Sequence, residues 1–131
     1  MTSATSPARP VVLVVDDEPV ALAVLQRTLE SHYHVLTASD GLKALDIIGA
    51  WGPSIRVVVT DVRMPGLSGP ALAAHLARLD RSPAILFVSG FTDPDVPGEV
   101  LAKPFQPDAL LSAVSRLLEN QERSEPPSDQ R

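Results

Sequence analysis

The chain has no cysteine, only two lysines among its eleven basic residues, and only 4% aromatic residues. Without thiols there is no disulfide scaffold and no thiolate metal site. The apolar run Val11 to Val15 is far too short to span a bilayer. Residues Met1 to Pro7 lack the basic-then-apolar order of a signal peptide. These absences point to a cytoplasmic protein that neither crosses nor binds a membrane. The net charge of -5 and the lack of any Lys/Arg cluster argue weakly against direct nucleic-acid binding, because duplex binding normally needs a basic stripe. Lysine occurs only at Lys43 and Lys103, against nine arginines, so each lysine is a candidate for a specific task.

What is present is a chain of 131 residues, 44% apolar, enough for one domain with a real core. Residues 1–9 and 121–131 read as disordered tails, rich in Ser, Pro and charge. Between them, over residues 10–120, short β-branched runs alternate with helical spacing. Strands are predicted at Val11–Val15, His34–Ala38, Ile55–Thr60, Ala84–Val88 and Glu99–Ala102. Helices are predicted from Pro19 to about Ser31, Gly41 to Gly49, Gly69 to Leu79 and Pro107 to Asn120. Their inward faces are assigned to Val20, Ala21, Val24, Leu25 and Leu29; to Leu42, Leu45 and Ile48; to Leu72, Leu76 and Leu79; and to Leu110, Val114, Leu117 and Leu118. Residues 91–98 carry too much Pro and Gly for a helix and read as a loop. Strand-helix alternation of this kind implies a parallel sheet covered on both faces.

Four predicted strands end in polar residues: Asp16-Asp17, Asp61, Ser89 and Lys103. Parallel strands bring all of them to one sheet edge, where open α/β sheets place their chemistry. Two carboxylates about 4 Å apart repel by roughly 4 kcal/mol at an effective dielectric of about 20. A raised pKa or a bound cation relieves this, and an all-oxygen donor set suits Mg²⁺. A carboxylate beside Mg²⁺ and an ammonium is a competent nucleophile toward a phosphoryl group, with the Ser89 hydroxyl able to donate to a phosphoryl oxygen.

Taken singly, these residues have plainer readings. Asp16-Asp17 before a helix is usually an N-cap, Ser89 a turn residue, Lys103 a surface lysine and Phe105 core packing. His32, His34 and His75 have no partner spacing for metal or catalysis, and Trp51 reads as helix-end packing. In combination the motifs are specific. Asp16-Asp17, Asp61-Val-Arg-Met-Pro-Gly, Ser89-Gly90 and Lys103-Pro104-Phe105, each at a strand end, resemble the receiver domains of two-component response regulators over about residues 10–120.

That resemblance implies a flavodoxin-like, doubly wound, five-stranded parallel sheet ordered 2-1-3-4-5. The fourth helix is reduced or absent, because only 13 residues separate Ser89 from Lys103. It implies Asp61 as phosphoacceptor, with Mg²⁺ held by Asp17 directly, Asp16 through water, Asp61 and the Arg63 carbonyl. Lys103 pairs with the phosphoryl group, Ser89 is the switch hydroxyl, and Lys103-Pro104 is a cis peptide. Gly90, Phe91, Arg63 and Val100 hold switching or tuning positions. Val100 stands where the family often has an aromatic residue, and Phe91 is expected to shield the phosphoryl group from water.

The implied function is a single-domain, chemotaxis-regulator-like response regulator, monomeric or weakly dimeric. It takes phosphate from a sensor histidine kinase or phosphotransfer protein and signals to a downstream target protein by contact. It assists its own phosphorylation and dephosphorylation and is not a turnover enzyme. A docking module that has lost phosphorylation is the alternative. An aspartyl phosphatase fits less well, because Glu18 and Arg63 stand where such enzymes need a second Asp. A dinucleotide-binding fold is excluded, because no G-x-G-x-x-G follows the first strand.

Overall fold

A computed structural model describes residues 9–90 and 96–124. The apolar runs form five strands: β1 Val11–Val15, β2 His34–Ala38, β3 Ile55–Asp61, β4 Ala84–Ser89 and β5 Glu99–Ala102. All pair in parallel, in the order β2-β1-β3-β4-β5. This is the expected flavodoxin-like sheet. Its register sets Ala38, Val15, Thr60, Phe87 and Val100 side by side, so the residues just beyond share one edge.

Four α-helices lie among the described residues: α1 Pro19–Glu30, α2 Gly41–Trp51, α3 Gly69–Leu76 and α4 Pro107–Ser124. Local chemistry sets their ends. Pro19 opens α1, where its missing N–H costs nothing. Arg9 closes it by donating from Nη1 to the carbonyls of Glu30 and Ser31, both at 3.0 Å. Asp40 caps α2 by accepting from the Lys43 N–H at 2.8 Å, and Ser68 caps α3 by accepting from Ala71 at 3.2 Å. Each such cap is worth about 1 kcal/mol.

Among the described residues the two largest core clusters lie one on each face of the sheet. On one face Val12, Val14, Val57, Val59, Leu86 and Val88 pack with Leu25 and Leu29 of α1 and Leu110 and Val114 of α4. On the other, Leu13, Val15 and Val58 pack with Ala44 and Ile48 of α2 and Leu72 and Leu76 of α3. Strands covered on both faces need continuous apolar sequence, as β1 and β3 have.

Several expectations change. On α1, Leu25 and Leu29 are buried, but Val20 is 77% and Val24 46% exposed. At 3.6 residues per turn these valines lie roughly 140° and 100° around the helix from Leu25. On α2, Ile48 is buried as expected, but Leu42 is 64% exposed and Ala44 takes its place against the sheet. It continues past Gly49 to Trp51 and stops at Gly52, whose φ is 60°. The α3 helix ends at Leu76, not Leu79. Its last turn tightens through Arg78 N–H to His75 and Leu79 N–H to Leu76, leaving Leu79 exposed. The α4 helix runs beyond Asn120 to Ser124, so 121–124 are not a disordered tail. Gln121 on that extra turn accepts from Arg56 Nε at 2.9 Å and donates to the Ser82 carbonyl at 3.4 Å. Among the described residues no helix lies between β4 and β5. Arg9, expected in the disordered N-terminal tail, is instead held by its two bonds to the end of α1. The rest of that tail at 1–8, the C-terminal residues 125–131, and residues 91–95 of the predicted loop lie outside the described residues.

Candidate functional site

The site is built from the ends of β1, β3 and β5. The chain leaves β1 at Asp16, whose N–H donates to the Ala38 carbonyl at 3.2 Å. Its side chain is fully buried. Asp16 Oδ1 accepts from the Glu18 N–H at 2.9 Å, and Oδ2 lies 3.3 Å from Lys103 Nζ. Asp61, the last residue of β3, turns Oδ2 toward the same ammonium at 3.8 Å. Its Oδ1 accepts from the Val62 N–H at 2.8 Å. Asp17 completes the group: one carboxylate oxygen from each of Asp16, Asp17 and Asp61 lies within 4.8 Å of the others.

Three carboxylates therefore face one ammonium. Burial raises the Asp61 carboxyl above its ordinary value of 3.8. Lys103 opposes that rise, the charge on Asp16 adds to it, and the N–H groups of Val62 and Arg63 oppose it. Desolvation wins because Lys103 is partly exposed and sits beyond hydrogen-bond distance from Asp61. The excess negative charge, the hard oxygen donors and the open rim at Asp17 fit a divalent cation such as Mg²⁺. Asp16, Asp17 and Asp61 are the residues able to hold it.

The remaining predicted positions fall into place around this cluster or away from it. Ser89 ends β4, one residue past the Val88 that pairs with Asp61, and is buried. Its carbonyl accepts from the Lys103 N–H at 2.8 Å, which ties the ends of β4 and β5 together. The Lys103-Pro104 peptide is cis. Val100 sits on β5 opposite Phe87 and is 43% exposed. Arg63 and Gly90 are exposed at the loops following β3 and β4. Phe91 lies outside the described residues. The histidines stay away from the acids: His32 Nδ1 is 2.9 Å from Ser31 Oγ, His34 lies against Trp51 at 5.6 Å, and His75 is exposed on α3.

Two features escaped the sequence reading. Thr60, inside the apolar β3 run, is fully buried and donates from Oγ1 to the Asp61 carbonyl at 2.9 Å. Gly69 opens α3 against that same carbonyl. A Cβ there would lie 2.4 Å from the Asp61 oxygen. The one hint in sequence was a hydroxyl residue interrupting a valine run.

Residues 12–115 match the family model described as response regulator receiver domain. Sensor kinase CckA of Brucella abortus (strain 2308) is 33% identical over 120 residues, covering 85% of this chain and 13% of that protein. The hydrogenase transcriptional regulatory protein HoxA of Cupriavidus necator is 33% identical over 121 residues, covering 84% of this chain and 24% of its own length. The chain thus spans less than a third of these curated relatives. Among solved structures, a response regulator receiver domain protein of Clostridium thermocellum superposes with a TM-score of 0.80 at 30% identity, covering 86% of this chain and 97% of that one. The chemotaxis protein CheY4 of Vibrio cholerae does so at 0.73 and 30% identity, covering 85% of this chain and all of that one, 100%. A family match reaching from β1 into α4 decides the matter of descent, and the chain belongs to the response regulator receiver domains.

Proposed function

We propose that Asp61 accepts a phosphoryl group from a histidine of a sensor kinase or phosphotransfer protein. The observation that carries this is the Asp61 carboxylate held between the Lys103 ammonium at 3.8 Å and the oxygens of Asp16 and Asp17. An Asp61 oxygen attacks phosphorus, the P–N bond of the phosphohistidine breaks, and the neutral imidazole leaves with a proton from solvent. Lys103 stays beside the new acyl phosphate and balances its charge. Bound Mg²⁺ supplies further positive charge against the transferring oxygens. Water later cleaves the acyl phosphate, so the domain resets without turning over a free substrate.

The donor docks over α1, whose Val20 and Val24 form an exposed apolar strip directly after the acid pair. Output runs through protein contact at the β4–β5 ends, where Ser89 and Lys103 are joined through the backbone. A second reading, a docking module indifferent to phosphate, is favoured by exposed Val100 and by the absence of a described helix between β4 and β5.

Intact mass after incubation with acetyl phosphate and Mg²⁺ separates the two. The expected result is one added phosphoryl group in the wild type, none in Asp61→Asn, and none in chelator. No addition in the wild type, with acetyl phosphate or with a phosphohistidine donor, leaves the docking module.

A further inference from the structure

The loop between β3 and α3 is held at both ends by contacts that leave no room for a side chain. At its neck, the Gly69 N–H donates to the Val62 carbonyl at 2.9 Å, and a Cβ on Gly69 would lie 2.4 Å from the Asp61 carbonyl oxygen. Thr60 Oγ1 donates to that same carbonyl from inside the core. At its tip, Leu67 presses on the first residue of α2. A Cβ on Gly41 would meet Leu67 Cβ at 2.7 Å and the Leu67 carbonyl oxygen at 2.8 Å. Gly41 has an ordinary negative φ, so space and not backbone conformation excludes a side chain there. Alanine at a helix start is otherwise favoured over glycine.

We propose that Thr60 and Gly41, neither of which faces the acid cluster, are positioning residues that fix the 62–68 loop against β3 and α2, so that Asp61 and the backbone beyond it meet the cation preformed. The part concerning the cation rests on the proposed function; the part concerning the loop does not. Thr60 is fully buried, and its hydroxyl is turned to the loop: it donates to the Asp61 carbonyl at 2.9 Å and lies 4.0 Å from Met64 Sδ. A valine of the same shape would fill the same space and leave the Asp61 carbonyl without that donor. The Gly41 contact reaches Leu67 in the loop from 26 positions earlier in sequence. It turns the start of α2 into a buttress for the site.

The test uses the whole chain and the variants Thr60→Val, Thr60→Ser and Gly41→Ala. In chelator, amide hydrogen exchange at Val62 and Gly69 is expected to speed up about tenfold in Thr60→Val and Gly41→Ala, while core strand amides hold. Calorimetric titration with Mg²⁺ is expected to show about tenfold weaker binding in both, a size typical of residues that orient metal ligands. Thr60→Ser, which keeps the hydroxyl and loses a methyl group, should match the wild type in both measurements.

Thr60→Ser as impaired as Thr60→Val would mean that packing and not the hydroxyl matters, and would overturn the proposal. So would a Gly41→Ala variant of raised melting temperature with wild-type exchange and Mg²⁺ affinity. A wild type that binds no Mg²⁺ would remove the cation reading alone. The exchange contrast between valine and serine at position 60 would still decide whether the loop is positioned this way.

Discussion

Asp61 holds its proton more tightly in the folded protein than in the unfolded chain, because burial outweighs the help from Lys103 and two backbone N–H groups. The sign of the consequence follows from linkage. A carboxyl with a raised folded pKa destabilises the native state as pH climbs from the ordinary 3.8 through the raised value, and the cost persists above it. Removing the charge removes the cost. In chelator at pH 7, Asp61→Asn should melt a few degrees above the wild type, and the gain should shrink as pH falls through the raised value toward 3.8 and vanish below it, where Asp61 is protonated in both states. Thermal melts across pH check this, and a gain that ignores pH would mean that shape and not charge sets the difference. A residue suited to accept a phosphoryl group is therefore costly to the fold while unmodified and metal-free.

At the scale of elements, α1 shows what hydrophobic spacing can and cannot say. The spacing located the helix and its buried Leu25 and Leu29, but assigned Val20 and Val24 to the same face. Counting apolar residues cannot tell a core contact from a surface kept apolar for a partner. Only the angle around a placed helix separates them. Leu42 on α2 and Leu79 after α3 were misassigned for the same reason. If the α1 strip receives the phosphodonor, Val20→Gln with Val24→Gln should slow transfer from a phosphohistidine protein about tenfold, the size of one lost hot-spot contact. Glutamine is a good helix former, so α1 itself should persist. Labelling by acetyl phosphate needs no docking, and its rate should stay within about twofold in the same comparison. Equal losses with both donors would mean that the substitutions disturb the neighbouring acids and not a docking face.

For the molecule as a whole, the sheet was legible because each strand is a short apolar run closed by a polar residue, and parallel pairing leaves one edge for all those closures. Asp16, Asp17, Asp61 and Lys103 were legible as a cluster on that ground alone, across 87 positions. The contacts of Gly41 with Leu67 and of Gly69 with Asp61 were not, since a glycine at a helix start looks the same in sequence whether it is crowded or free. The cluster also makes a claim about the stability of the entire fold. Asp17 stands at its exposed rim and contributes an oxygen to it. A cation bound only by the native arrangement stabilises the whole domain, by about 2.7 kcal/mol at a free concentration about 100 times its Kd. Mg²⁺ should therefore raise the melting temperature of the wild type by several degrees, and NaCl at equal ionic strength should not. Asp17→Asn should lose most of the Mg²⁺ response while folding to the same sheet. If NaCl reproduces the shift, the acids are merely screened, and the three carboxylates crowd one another without holding an ion between them.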